Sequence, residues 1–263
     1  MASRSESFQR LCDIMHKLRA PGGCPWDAEQ SHASLVEYLI EEAYEVAEAV
    51  EAGQDDDLVK ELGDVLLQVV FHSEIAEEEA RFRIEDVLEA VSEKMISRHP
   101  HVFGDGALKD SRAVIEQWDR LKREERGTDS GLLDGIPTSL PALLRAQRLQ
   151  SRAAGVGFDW EKSEDILDKI HEEVSELEEA GAQDDQQKRE EEFGDLLFAL
   201  VNWSRFSGLN SEMALQRANR KFCERFNYIE GALKKKGSNV ESANLEEMDA
   251  LWEKAKTDSG GRE

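Results

Sequence analysis

Cysteine is nearly absent from this chain: Cys12, Cys24 and Cys223 are the only three in 263 residues. They form no C-x-x-C and no zinc-ligand spacing, which excludes a disulfide framework and predicts a reducing compartment. Basic charge is scarce as well. Lysine and arginine number 33 against 57 acids, for a formal charge of −24, so no nucleic-acid surface is expected. No run approaches the roughly 18 apolar residues of a membrane-spanning helix. The stretch from Met1 to Arg10 lacks the apolar core of a secretory signal. These absences predict a soluble, cytoplasmic protein without a membrane partner. Alternation with period two is missing too, so strands are not needed.

What remains is helical. Amphipathic periodicity predicts helices near 33–52, 55–79, 84–98, 111–125, 140–152, 163–180, 184–206, 211–235 and 244–256. Gly53 and Gly181 fall where helix C-caps belong. The Gly-, Ser-, Thr-, Asp- and Pro-rich segment between the halves reads as a connection. The expected domains are 1–126 and 141–263, with a linker over 127–140. The fold class is all-α, a tandem duplication of helical-bundle domains.

The duplication is visible in the acids. Glu41, Glu42, Glu45, Glu61 and Asp64 recur as Glu172, Glu173, Glu176, Glu192 and Asp195, each 131 residues later. Positions three and four apart share one face of a helix. Two such helices joined by a short connection are antiparallel neighbours, so the acids can converge across the groove between them. Converging carboxylates raise one another's pKa, and a cation between them removes the conflict. An all-oxygen donor set favours Mg²⁺, Mn²⁺ or Ca²⁺ over zinc. A di-iron bundle would want Glu-x-x-His, and here the third position after Glu61 and Glu192 is aspartate. A solvated acidic face is the ordinary reading of glutamate-rich helices and suffices for Glu77, Glu78 and Glu79. It explains poorly the Gly63-Asp64 and Gly194-Asp195 pairs inside apolar helices, where each glycine costs about 1 kcal/mol relative to alanine.

Basic and aromatic residues recur as well. Lys94 and Arg98 match Lys221 and Arg225, and Trp118 and Lys122 match Trp252 and Lys256, every pair four residues apart. Arginine's planar fork suits phosphate oxygens, and an indole stacks on any base. Singly, each is more often a surface ion pair or a packed ring. Trp26-Asp27 ahead of the first acidic helix echoes Phe158-Asp159 ahead of the second. The halves differ where Lys169 and Lys188 stand in the second and Tyr38 and Asp57 in the first. More positive charge favours the second copy as the catalytic one, unless those lysines only make helix salt bridges. His99 and His101 have no counterpart in the second half and receive no role.

The stretches E-E-A-Y-E-V with E-L-G-D-V-L, and E-E-V-S-E-L with E-F-G-D-L-L-F, resemble the MazG family of nucleoside triphosphate pyrophosphohydrolases. So do C-P-W-D-A-E-Q-S-H-A-S-L-V-E-Y-L-I, A-N-R-K-F-C-E-R-F and L-W-E-K-A-K; the likeness spans nearly the whole chain. One departure is Ser31 in Q-S-H, where the family usually has threonine. The resemblance implies tandem all-α domains that form a homodimer. It also implies Mg²⁺-dependent cleavage of a nucleoside triphosphate to monophosphate and pyrophosphate, with Mn²⁺ as a substitute ion. Carried over, Glu173, Glu176, Glu192 and Asp195 hold the metal. Lys221, Arg225 and Trp252 would hold the nucleotide, with Lys256 assisting. Beside this carry-over, Lys169, Lys188, Glu172, Glu191 and Asp195 are also expected to face substrate, the two lysines on the charge difference between the halves. Glu172 is the candidate base, with Glu173, Lys221 and Arg225 completing the catalytic set. Glu42, Glu45, Glu61, Asp64, Lys94, Arg98, Trp118 and Lys122 would form a second site in the first copy. Broad acceptance of NTPs and dNTPs is expected. The alternatives are a dUTP-like or phosphoribosyl-nucleotide pyrophosphatase and, outside enzymes, a nucleotide-binding regulatory or scaffold protein.

Overall fold

In a computed structural model, the protein is described over residues 3–104, 110, 113–114, 117–118, 121, 131–183 and 185–259. The chain divides into two compact units, Met1–Leu121 and Lys122–Glu263. No strand occurs among the described residues, as the absence of period-two patterning predicts. Among the described residues, no helix is long and apolar enough to cross a membrane. The helix expected over 111–125 lies mostly outside the described residues, as do residues 127–130 of the expected linker and residues 260–263.

The first unit holds α1 (Arg4–Arg19), α2 (Pro25–Glu29), α3 (His32–Ala52), α4 (Asp55–Glu78), α5 (Ile84–Arg98) and α6 (Pro100–Phe103). Helix α1 is absent from the expected set, although Phe8, Leu11, Cys12 and Met15 repeat at i, i+3, i+4 and i+7. That stripe packs into the core of Met15, Leu35, Val70, Phe71 and Ile75. A capping box between Ser3 and Glu6 starts the helix. Arg19, at its end, grips Glu78 of α4 with both prongs at 2.8 and 2.7 Å. Gly53 ends α3 in the left-handed region at φ 64°, its N–H meeting the Ala49 and Val50 carbonyls. This tight cap folds α4 back beside α3.

The second unit holds α7 (Ala142–Ala154), α8 (Ser163–Ala182), α9 (Gln186–Phe206), α10 (Ser211–Lys235) and α11 (Leu245–Ser259). The expectation for Gly181 needs correcting. It lies inside α8, and Gln183 is the cap, because a right-handed cap residue here suffices to close the last turn. Asp185 then caps α9 by accepting from the Lys188 N–H at 3.0 Å. Helix α7 lies along α9, and Gln150 donates to the Phe198 carbonyl at 2.8 Å. Helices α10 and α11 pair through Ile229, Leu233 and Leu251. Residues within 131–140 pack on this unit, since Arg152 donates to the carbonyls of Leu132 and Asp134.

Candidate functional site

The helix pair α8–α9 assembles one acidic cluster. Glu173 and Glu176 come from α8 and Glu192 from α9, each offering a carboxylate oxygen within 4.8 Å of the others. Glu173 is 4% exposed, so its charge needs a partner. Lys169, one turn earlier, provides it: Nζ lies 2.8 Å from Glu173 and 3.0 Å from Glu172. The hydrogen bonds to Glu173 and then Glu172 push the ammonium pKa upward. Glu192 is pushed up, first by loss of hydration and then by the Glu176 carboxylate, while the nearby Lys188 opposes the rise. Glu191 is exposed and accepts from Gln187 at 3.1 Å.

The α3–α4 pair repeats the geometry with Glu42, Glu45 and Glu61, again within 4.8 Å. Glu42 is pushed up by burial and by Asp64 and Glu45, and Glu61 by loss of hydration and Glu45. Lysine has no counterpart here. Tyr38 takes the place of Lys169 and packs into the core, edge-on to Trp26 with centroids 6.1 Å apart. The Asp57 position is occupied by an ion pair with Lys60 at 2.6 Å. In both units, three carboxylate oxygens gathered within 4.8 Å of one another fit a hard divalent cation. Glu173, Glu176 and Glu192, with Asp195 alongside, would hold it in the second.

The basic set stands on other helices. Arg225 of α10 lies over the Trp252 ring of α11 at 5.5 Å, and Phe222 packs against the same ring at 5.4 Å. Lys221 is exposed on α10, and Lys256 pairs with Glu253 at 2.5 Å. In the first unit Lys94 is exposed on α5 beside half-buried Arg98. Trp118 sits 6.5 Å from His99, and Lys122 lies outside the described residues. His99 donates to the Met95 carbonyl at 2.7 Å, a local bond that needs no ligand.

Beside the acidic cluster of the second unit opens a cavity of about 770 Å³. Lys169, Glu173 and Asp195 form one wall, and Phe158, Trp160, Gln150, Asn202 and Arg205 form the others. Lys221, Arg225, Trp252 and Lys256 do not line it. None of the five was singled out as a site residue by sequence reasoning. The available signal was the aromatic–aspartate pair that precedes each acidic helix, noted as an echo of the repeat but not as a wall of a site.

The family model for the MazG nucleotide pyrophosphohydrolase domain matches residues 30–103 and 161–229, one segment around each acidic helix pair. A nucleoside triphosphate pyrophosphohydrolase/pyrophosphatase MazG of Thermotoga maritima is 49% identical over 250 residues, covering 95% of both chains. A nucleoside triphosphate pyrophosphohydrolase of Escherichia coli is 46% identical over 254 residues, covering 95% of this chain and 97% of its own. The uncharacterized protein YabN of Bacillus subtilis is 47% identical over 251 residues, which is 95% of this chain and 51% of that one.

Proposed function

The chain belongs to the MazG nucleotide pyrophosphohydrolase family, and from that premise we infer that it hydrolyses nucleoside triphosphates at the α–β anhydride, with catalysis in the second unit. The observation that carries this reading is the Glu173–Glu176–Glu192 cluster with Lys169 against it. Magnesium, with manganese as a substitute, would supply positive charge there to neutralise phosphate oxygens and steady the leaving pyrophosphate. Asp195 completes the ligand set. Lys169 and Lys188 add positive charge at the cluster's edge, where triphosphate oxygens enter, and Glu191 borders that edge.

Glu172 is the proposed general base. Its side chain is 55% exposed and its carboxylate lies 3.0 Å from Lys169, a position that water can reach. A water oxygen bonds to the α-phosphorus, its proton passes to Glu172, and the bond to the α–β bridging oxygen breaks. Lys221, Arg225, Trp252 and Lys256 are the proposed nucleotide contacts on the α10–α11 hairpin, the cations serving phosphate. Contacts of this kind favour broad acceptance of NTPs and dNTPs.

The first unit is proposed to keep a second cation site at Glu42, Glu45, Glu61 and Asp64. A homodimer is supported by exposed apolar side chains on α9, among them Phe193 at 53% and Leu197 at 40%. A cytoplasmic location is the setting that three free cysteines suit. Pyrophosphate release from ATP tests the reading. It is expected with Mg²⁺ and absent with EDTA, and orthophosphate as the product would overturn the bond assignment.

A further inference from the structure

The first unit carries a polar group of side chains that its acidic cluster does not use. His32 opens α3 and His72 lies on α4, farther from the connecting turn than Glu42, Glu45 and Glu61. Their Nδ1 atoms stand 2.8 Å apart, and the ring planes differ by 5°. The ring centroids are 5.1 Å apart, which is the nitrogen separation plus one ring radius at each end. The nitrogens therefore lie on the line between the centroids, and the rings meet edge to edge in one plane. That is the geometry of a linear N–H···N hydrogen bond, which holds a single proton. The repeat places Ser163 and Trp203 at these positions in the second unit, so the pair belongs to the first unit alone.

Arg81 decides which histidine gives the proton. Its guanidinium contacts His32 Nε2, and arginine can only donate. His32 Nε2 is therefore bare, its proton stands on Nδ1, and His72 Nδ1 accepts. Arg81 reaches back because Ala80 takes the left-handed region at φ 53°, and the Arg81 N–H closes on the Ala76 carbonyl at 2.9 Å. Alanine seldom adopts that conformation.

Two ring nitrogens in this chain could take a further proton, His32 Nε2 and His72 Nδ1, and each already faces a donor. A proton on His32 would meet Arg81 and the positive end of α3. A proton on His72 turns its Nδ1 into a second donor aimed at the His32 Nδ1–H, and the bond between the helices is lost. The neighbouring acids are engaged elsewhere. Glu74 and Glu78 are held by His16 and Arg19 of α1, Glu79 by Arg81, and Asp86 of α5 by the Arg83 N–H at 2.8 Å. Glu85 lies 4.0 Å from Arg83. Among the described residues no carboxylate, Asp27 and Glu29 of α2 included, contacts either ring. Burial, and then His32, hold the His72 pKa below its ordinary 6.5.

We propose that Arg81, His32 and His72 form a proton-operated latch of the first unit: one added proton breaks the bond between α3 and α4 and releases the first turns of α3. The release would pass to the preceding loop, because Ser34 donates to Gln30 Oε1 at 2.8 Å and Gln30 to the Trp26 carbonyl at 3.0 Å. The second unit, with Ser163 and Trp203 in place of the histidines, stays closed over the same range.

Amide hydrogen exchange of the full chain tests the latch, with the second unit as internal standard. From about pH 7.5 to 5.5, protection over residues 33–38 should fall about fivefold more than over the matching residues 164–169, the scale of one hydrogen bond. His72→Asn keeps an acceptor near the Nδ1 position and does not titrate, so the extra loss should vanish. Arg81→Met changes a side chain that is 49% exposed. Without the guanidinium, His32 can carry its proton on Nε2 and accept from a protonated His72, so the bond survives acid and the extra loss vanishes again. Nitrogen-15 NMR should find His32 as the Nδ1–H tautomer in the wild type at about pH 7.5, and as the Nε2–H tautomer in Arg81→Met at about pH 5.5. Equal changes in the two units of the wild type overturn the proposal. So does an extra loss that persists in His72→Asn or in Arg81→Met, or a wild-type His32 protonated on Nε2.

Discussion

Replacing Lys169 with methionine isolates the charge balance on which the second cluster depends. Lys169 sits 2.8 Å from Glu173, whose side chain is 6% exposed, while the lysine itself is 36% exposed. Stripping one partner from a fully buried pair costs about 3–5 kcal/mol, and an exposed pair is worth about 0–1 kcal/mol. Water reaches the lysine but hardly reaches Glu173, which places the cost in EDTA at about 1–3 kcal/mol between those limits. For a domain of this size that lowers the melting temperature by about 3–10 °C. Added Mg²⁺ should recover the loss, since an ion at a hundredfold its Kd contributes about 2.7 kcal/mol. The variant should gain more from the ion than the wild type does, because in the wild type cation and ammonium compete for Glu173. Calorimetry of the full chain with and without Mg²⁺ reads both numbers. Identical melting of the two proteins in EDTA would refute the burial argument, and no response to Mg²⁺ in either would refute the cation site.

Two further outcomes follow from the same structure. Leu233 is fully buried between α10 and α11, so Leu233→Ala should destabilise the second unit by about 2–5 kcal/mol; a loss below about 1 kcal/mol in urea unfolding would show that the hairpin is not packed there. His72 and His16 should separate by NMR titration. Arg81 contacts His32 Nε2, which leaves the His32 Nδ1–H to donate to His72 Nδ1 at 2.8 Å. Burial, and then His32, hold His72 below the ordinary 6.5. Below 6.5 the unfolded chain takes a proton that the folded one refuses, so His72 lowers stability as pH falls from there toward its folded value. His16 is raised by its hydrogen bond to Glu74, so its contribution is complete below 6.5 and is lost as pH rises through its folded value. A His72 midpoint above that of His16 would contradict both assignments.

Residue spacing made the acidic helices legible, and it did so for a physical reason. Two carboxylates at i and i+3 fix a face, and a short glycine-capped connection fixes the neighbour, so Glu42, Glu45 and Glu61 had little freedom to diverge. The same logic says nothing about helices joined through longer paths. Lys221 with Arg225, and Trp252 with Lys256, each share a face, yet nothing in a four-residue spacing sets the distance from α10 to α8. Gly181 looked like a cap because Gly53 is one, but α8 runs a turn's fraction further and closes on Gln183. Helix α1 was hidden by its polarity, since its apolar stripe of Phe8, Leu11, Cys12 and Met15 stands among polar and charged residues. The cavity residues escaped because they come from five separate segments, the 131–140 stretch, α7, the 155–162 loop, α8 and α9, and no local pattern records such a meeting.

The two copies carry the same acids and different counter-charges, and under the proposed function the difference decides more than the acids do. In the first unit a cation entering among Glu42, Glu45 and Glu61 meets no internal competitor, because Tyr38 is committed to the core. In the second it must share Glu173 with Lys169. That exchange weakens the ion taken alone, but it releases an ammonium within one helical turn of the bound charge. A triphosphate arriving there would find a cation and a freed lysine together. Ion and polyphosphate then favour one another in the second unit, whereas in the first the ion binds for itself. Duplication preserved the acids in both halves, so the acids cannot say which half turns over substrate. The lysine can, and Lys169→Tyr, which gives the second unit the first unit's residue, should tighten Mg²⁺ binding in isolation while weakening ATP in its presence. If both affinities moved in the same direction, the coupling would not exist and the catalytic assignment would lose its basis.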